Sequence, residues 1–132
     1  MLDTNVISEM IRNPDGTLAM RAKEIGEADL CTSAIVASEL RYGLRKKGSQ
    51  RLTDRVENVL ERIAIVPYEE ASSWSYAVAR DALEKIGQPI GYTDLFIAAH
   101  ALSLDLTLVT ANTREFSCIE GLKVENWMEP IP

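Results

Sequence analysis

The sequence has few of the residues on which disulfide, zinc and histidine-based sites depend. Its 132 residues include only two cysteines and one histidine. Cys31 and Cys118 form no CxxC pair, so we expect two buried reduced thiols rather than a disulfide framework or a structural zinc site. His100 lies in an apolar helical stretch, and no GxSxG nucleophile motif accompanies it. We therefore expect a packed core histidine rather than a catalytic one.

The chain also lacks long apolar runs and an excess of positive charge. No apolar stretch approaches the roughly 18 residues needed to span a membrane. No secretory leader pattern is evident either, so we expect a cytoplasmic protein with no membrane partner. The net charge is −6 at pH 7, which argues against a protein that coats nucleic acid without specificity. A nuclease whose acidic site holds cations is compatible with this charge.

The composition that is present belongs to an ordinary globular domain, with 46% apolar and 26% charged residues. The length predicts one domain over residues 1–132 with a single core. Predicted strands end at Asp3 and cover 29–32, 64–66, 106–109 and 123–125. Predicted helices cover 5–11, 17–25 with Thr17 as cap, 33–44 with Ser33 as cap, 50–62, 69–86 and 92–104. Short strands that alternate with helices indicate a parallel α/β sheet covered on both faces.

Three acidic residues from distant parts of the chain fall near the predicted carboxyl ends of strands. Asp3 ends the first strand, Glu39 lies about two turns into the helix after the second, and Asp94 begins the helix before the "LTLVT" strand. Sites in such sheets lie outside the carboxyl ends of the strands, so the three acids could share one cleft. Carboxylates gathered without Lys or Arg repel one another, and a hard divalent cation, Mg²⁺ or Mn²⁺, relieves that repulsion.

Each of these acids, taken singly, also has a structural explanation. Asp3 could cap the first helix, and Glu39 could be a solvated helix residue. Asp94 could be a helix-start residue favoured by the helix dipole. The spacing of the acids does not by itself decide between a site and these alternatives.

Four segments give the chain a family resemblance. "MLDTNVISEM", "TSAIVASELRYGL", "IGYTDLFIAAHAL" and "LVTANTREF" follow one another in this order. Together they resemble the PIN-domain ribonucleases, specifically the VapC-type toxins of bacterial toxin–antitoxin pairs. The resemblance runs from Leu2 to Trp127. It implies a three-layer α/β/α PIN-like sandwich with a short central parallel sheet, and a Mg²⁺-dependent endoribonuclease in which Mn²⁺ can substitute.

The resemblance also implies roles for the residues of the acidic set. Asp3 and Asp94 match direct metal ligands. Glu39 matches a third acid that binds the metal through water or positions the nucleophile. Thr4 and Asn5 match the polar pair that follows the first aspartate, with Asn5 expected to brace Asp3.

Two departures from the family pattern concern the fourth acid and the start of the chain. Asn112 stands where the family often has Asp, and Glu115 follows three residues later. Either residue could complete the site, and one or two metal ions are both compatible with this set. Arg114, between them, is a candidate for phosphate contact. Relatives usually carry more residues before Asp3, so we expect a short first strand and leave open a natural start slightly upstream.

The resemblance implies a substrate and protein partners as well. It implies hydrolysis of an RNA phosphodiester to a 3′-hydroxyl and a 5′-phosphate, in single-stranded RNA or a tRNA loop. Toxins of this kind act as homodimers, form larger assemblies with a small antitoxin, and are silenced by its tail in a groove. The groove could be supplied by apolar residues of the early helices, namely Ile7, Met10, Ile11, Leu18 and Met20.

A basic cluster and three aromatic residues have more than one interpretation. The cluster could contact the RNA backbone, form a solvated helix face, or meet the antitoxin or a second copy of the chain. Tyr42, Trp74 and Tyr92 are expected to be core or interface residues rather than base-stacking platforms. The basic cluster consists of Arg41, Arg45, Lys46, Lys47, Arg51 and Arg55.

Other α/β functions fit the sequence less well. A receiver domain needs an Asp after its third strand, where this chain has Val66, Pro67 and Tyr68, and a Lys that "LVTANT" does not offer. The GxxxxGK[ST] motif of nucleotide hydrolases is absent. The remaining alternative is a catalytically weak PIN-fold binding module that acts through protein partners or nucleic acid. Such a module would need a broken acidic set.

Overall fold

The computed structural model describes residues Met1–Met128, so the end of the predicted 1–132 domain lies outside the described residues. No helix within this range is both long and apolar enough to cross a membrane. The elements, in chain order, are α1 Thr4–Arg12, α2 Thr17–Ile25, a 3-10 turn Glu27–Asp29, β1 Cys31–Ser33, α3 Ala34–Lys47, α4 Gln50–Arg62, β2 Ala64–Val66, α5 Ala71–Lys85, α6 Tyr92–Ser103, β3 Leu108–Val109, α7 Thr113–Phe116 and β4 Val124–Glu125.

A narrow parallel sheet organises these elements. β1 pairs with β2, and β3 pairs with β4, in both cases in parallel. Leu2 joins the two pairs through parallel bridges to Thr32 and Val109. The spatial order is therefore β2, β1, Leu2, β3, β4, and the first strand, which is short as predicted, lies at the centre. The strand order reverses beside Leu2, which is where open α/β sheets bind their ligands.

The core holds the helices that carry the acidic residues in fixed positions. Leu2 is fully buried, and α6 is buried along most of its length from Leu95 onward. His100 is a buried core residue, as predicted, and its Nδ1 lies 2.8 Å from Ser33 Oγ. Because Ser33 caps α3 by accepting the N–H of Ile35, His100 connects α6 to the start of α3. Burial lowers the pKa of His100.

Several predicted boundaries differ from the structure for identifiable reasons. The predicted strand at 106–109 is shorter because α6 ends in a Schellman motif. Asp105 adopts a left-handed φ of 53°, and the N–H of Leu106 donates to the Ala101 carbonyl at 2.9 Å. The predicted strand at 29–32 begins at Cys31 because a 3-10 turn takes up the preceding residues. Thr17 is the first residue of α2, and Gly16 is its N-cap without a side-chain bond, so the predicted Thr17 cap is wrong.

Exposure corrects two further expectations. Both cysteines are free, as predicted, but Cys118 is exposed and Cys31 only half-buried. Tyr42, Trp74 and Tyr92 are all exposed. A core position is therefore wrong for these aromatic residues. An interface position and a base-stacking role remain as alternatives for them.

Candidate active site

Asp3 is both a helix cap and the centre of the candidate site. Its Oδ1 accepts the backbone N–H of Thr4 at 2.8 Å and so caps α1. Its Oδ2 accepts the hydroxyl of Thr110 at 2.8 Å. The residue is 3% exposed and follows Leu2 directly at the carboxyl edge of the sheet. Burial raises the pKa of Asp3, and the two hydrogen bonds oppose that rise.

Thr4 connects Asp3 to Glu39. While its backbone N–H binds Asp3, its hydroxyl donates to Glu39 Oε1 at 2.6 Å. One residue at the start of α1 therefore holds an acid of the sheet beside an acid of α3. Within residues 1–128, Glu39 Oε2 accepts no hydrogen bond, so this oxygen is left available to water or a ligand.

Asp94 faces the same cleft from the first turn of α6. Burial raises its pKa to about 6, and the charges of Asp3, Glu39 and Glu115 add to the rise. Coulomb effects weaken with distance, so the other three carboxylates lie near enough to Asp94 for their charges to act on it. In the described part of the chain, no cation is among the groups that shift the pKa of Asp94.

The fourth side of the cleft comes from the loop after β3. The Nδ2 of Asn112 donates to Glu115 Oε2 at 3.0 Å, and its backbone N–H donates to Thr110 Oγ1 at 3.0 Å. Of the two candidates for the fourth position, Glu115 thus brings the negative charge and Asn112 holds it in place. Arg114 is exposed on α7, and it makes no ion pair with any residue in the range 1–128.

The residue that braces Asp3 is Thr110, whereas the sequence led us to expect Asn5 in this role. Asn5 is exposed, and its side chain makes no hydrogen bond to Asp3. The bracing hydroxyl instead comes from Thr110, which is fully buried directly after β3. Because Thr110 and Asp3 both follow strands of a parallel sheet, the sequence placed them at the same edge. It did not specify the pairing of Leu2 with Val109 that brings them into contact.

The donor set suits a partly hydrated divalent cation. Asp3, Glu39 and Asp94 offer carboxylate oxygens to one cleft, and their mutual repulsion is what a cation would relieve. Among the residues from 1 to 128, however, no three His, Cys, Asp or Glu side chains stand close enough to form a ready-made cage. Mg²⁺ typically binds through one or two carboxylates and keeps several of its waters. The open arrangement therefore fits an ion of this kind better than an ion enclosed by protein.

Comparison with known proteins decides the family of the chain. A family model described as the PIN domain matches residues 1–122. The chain belongs to the PIN domain family. This PIN domain is 34% identical over 128 residues to the tRNA(fMet)-specific endonuclease VapC of Shigella flexneri, covering 96% of each chain. It is 36% identical over 130 residues to Ribonuclease VapC2 of Haemophilus influenzae, covering 97% of each.

Solved structures agree with the family assignment. The crystal structure of VapBC2 from Rickettsia felis, bound to a DNA fragment from their promoter, contains a chain that superposes with a TM-score of 0.90 at 32% identity. The match covers 96% of this PIN domain and 97% of that chain. The predicted PIN-like α/β/α fold and the resemblance to VapC-type proteins are thereby confirmed.

Proposed function

We propose that this PIN domain is the endoribonuclease toxin of a toxin–antitoxin pair, hydrolysing RNA phosphodiesters until a cognate antitoxin inhibits it. The observation that carries the proposal is the shared cleft of Asp3, Glu39 and Asp94, three acids drawn from distant parts of the chain. Relatives that align over nearly the whole chain are named ribonucleases, which supports the same activity.

The proposed cofactor is Mg²⁺, with Mn²⁺ as a substitute, held by Asp3 and Asp94 and through water by Glu39. When bound there, such an ion would polarise the phosphate and lower the pKa of a water. Thr110 and the N–H of Thr4 keep the carboxylate of Asp3 in one orientation.

In this proposal Glu39 is the group that orients or deprotonates the attacking water. Thr4 fixes its Oε1, so Oε2 can orient the water or accept its proton for in-line attack on phosphorus. As the water oxygen bonds to phosphorus, the bond from phosphorus to the 3′-oxygen breaks. The 3′-oxygen takes up a proton from solvent, which gives a 3′-hydroxyl and a 5′-phosphate. Glu115, held by Asn112, is the candidate acid for a second ion.

The proposed substrate is RNA with unpaired nucleotides, such as a tRNA loop, because splayed bases and their phosphates are accessible to a cleft. The basic cluster divides into two groups. Arg41 binds Glu57 through two hydrogen bonds, and Arg55 donates to the Ile11 carbonyl. The remaining members are exposed and form no ion pair within residues 1–128, so they are free to meet the RNA backbone: Arg45, Lys46, Lys47 and Arg51.

The proposed antitoxin site is a groove between α1, α2 and α4 with a volume of about 580 Å³. Met10 and Ile11 line it, as predicted, together with Val59 of α4. The other predicted residues do not line it, since Ile7 and Leu18 are buried in the core and Met20 is exposed elsewhere. An apolar segment of the antitoxin would cover this groove. The homodimer and the cytoplasmic location stay predictions.

The experiment that tests the function is RNA cleavage with and without a divalent cation. Purified protein is incubated with total RNA in Mg²⁺, in Mn²⁺ and in EDTA, and the new ends are mapped. We expect cleavage in either metal, none in EDTA, 5′-phosphate ends, and suppression by the antitoxin encoded beside this chain. RNA that stays intact with folded protein in Mg²⁺ would instead favour the binding-module alternative.

A further inference from the structure

We propose that Tyr42 is a stacking platform for an unpaired base of the RNA substrate, placed beside the acidic cleft by α3 and backed by Lys46. This inference rests on the proposed ribonuclease function and adds how the substrate strand is held next to the scissile phosphate. It reverses the expectation from sequence, which gave Tyr42 a core or interface position.

The position of Tyr42 follows from helix geometry. Glu39, Tyr42 and Lys46 stand at i, i+3 and i+7 of α3, so their side chains share one face of the helix. The opposite face packs into the core through Ala37 and Leu44. Tyr42 therefore lies one helical turn, roughly 5 Å along the axis, from an acid of the cleft. A nucleotide adjacent to the cleaved phosphate can reach that distance.

The surroundings of Tyr42 leave its ring ready for a base. The residue is 66% exposed, and the Nζ of Lys46 lies 5.6 Å from the centre of the ring. The exposure leaves room for a base to stack on the ring, and stacking on an aromatic face tolerates any base. Lys46 makes no ion pair with residues 1–128, so its charge can also meet a phosphate.

Other exposed aromatic residues in the described part of the chain are placed differently. Tyr92 has Arg80 4.9 Å from its ring centre. Arg80 is also bonded to Glu84 and Tyr76 of its own helix, so this pair fastens α5 to the start of α6.

Trp74 lies on α5, near the end of α6 that is far from Asp94. It follows Ser72 closely on α5, and the Oγ of Ser72 is 2.7 Å from that of Ser103 at the C-terminal end of α6. Asp94 occupies the opposite end of that helix. Among these exposed aromatics, Tyr42 is thus the one that shares a helix face with an acid of the cleft.

Free positive charge continues beyond Tyr42 in the same direction. Arg45, Lys46 and Lys47 form the last turn of α3, and Arg51 follows at the start of α4. Proteins that bind single strands combine such cations along the backbone with aromatic platforms for the bases. The arrangement marks a path for the strand from Glu39, over Tyr42, to the end of α3.

The test compares Tyr42→Ala with Tyr42→Phe on a single-stranded oligoribonucleotide whose cleavage position has been mapped. We expect Tyr42→Ala to raise KM about tenfold with kcat changed less than about threefold, because base stacking contributes affinity rather than chemistry. Tyr42→Phe should behave like wild type. For wild type, an oligonucleotide with abasic riboses beside the cleaved phosphate should have a KM that is higher by a similar factor. For Tyr42→Ala, removing these bases should raise KM no further.

Lys46→Gln and Lys47→Gln form a matched pair for the cation. Both remove one charge from the end of α3, but only Lys46 is placed against the ring. We expect Lys46→Gln to raise KM more than Lys47→Gln. Equal effects from the two variants would overturn the role of Lys46 as the backing cation.

RNA binding by metal-free protein separates this proposal from the proposed function. Fluorescence anisotropy in EDTA should show that Tyr42→Ala binds RNA more weakly than wild type. If that difference is seen but wild type cleaves no RNA in Mg²⁺, the ribonuclease function is overturned and the stacking role of Tyr42 is supported. If Tyr42→Ala binds RNA and cleaves it with the affinity and KM of wild type, the stacking role of Tyr42 is overturned and the ribonuclease function is unaffected. Loss of a dimer in Tyr42→Ala, measured by light scattering, would assign the residue to an interface and also overturn the platform.

Discussion

Replacing Asp3 by Asn is expected to lower RNA cleavage at least about 10³-fold, because a catalytic cation contributes several kcal/mol and each 1.36 kcal/mol is a factor of ten in rate. The substitution is nearly isosteric. Asn keeps the oxygen that accepts the N–H of Thr4, so the cap of α1 is retained. Initial rates on a mapped oligoribonucleotide at saturating Mg²⁺ measure the loss.

The control for Asp3→Asn is the same chemical change at Asp105. That residue is exposed, pairs with Lys123 at the surface, and has a left-handed φ that Asn adopts readily. Asp105→Asn should cleave like wild type. Since burial raises the pKa of Asp3, removing its charge should leave metal-free protein at least as resistant to urea as wild type. An Asp3→Asn protein that keeps more than a tenth of the activity would contradict the assignment.

Cleavage at low, subsaturating Mg²⁺ is expected to fall about tenfold for each pH unit below 6, because protons compete with the cation for carboxylates that must be ionised to bind it. The group responsible is Asp94, whose pKa stands at about 6 in the metal-free cleft. Raising the Mg²⁺ concentration should move the midpoint to lower pH. A pH midpoint that does not change with the Mg²⁺ concentration would show that the titrating group is not a metal ligand.

The same group makes a prediction for the stability of metal-free protein. Asp94 holds its proton more tightly in the folded chain than in the unfolded chain, whose carboxyl has the ordinary pKa of 3.8. The free energy of unfolding contributed by this group therefore falls as pH rises from about 4 to about 6, and is level above that. The full shift corresponds to about 3 kcal/mol at most, and solvent around this half-exposed side chain reduces it. Urea unfolding in EDTA should show the slope in wild type and a smaller one in Asp94→Asn.

Chain order indicated that the acids could meet, although it did not exclude a structural role for each of them. Asp3 ends a strand, Glu39 follows the next strand, and Asp94 opens a helix beside them, and parallel strands send all of these to one edge. The Ser33 cap was also predictable, since Ser before an apolar periodic segment is a local signal that needs no tertiary contact.

Contacts that depend on register and on the first residue of a helix were not predictable. The bond from Thr110 to Asp3 joins residues 107 positions apart, and it exists because Leu2 pairs beside Val109. The error at Asn5 has a helical cause. Because α1 begins at Thr4, its next residue is turned by about 100°, so Thr4 faces Glu39 while Asn5 faces solvent. A boundary shift of one residue would reverse the two.

The fourth acid was left open by the sequence for a related reason. Asn112, the N-cap residue of α7, and Glu115 are separated by a single helical turn, and their side chains contact each other. Their hydrogen bond, which only the folded loop defines, gives the charge to Glu115 and the supporting role to Asn112.

Diffraction from crystals soaked in Mn²⁺ shows whether Asp3 and Asp94 hold one divalent cation together. We expect an anomalous peak about 2.2 Å from a carboxylate oxygen of each aspartate, the usual length of such bonds. The peak should disappear in Asp3→Asn crystals. A fully occupied Mn²⁺ elsewhere on the protein, with these two carboxylates left uncoordinated, would show that Asp3 and Asp94 are not the metal ligands.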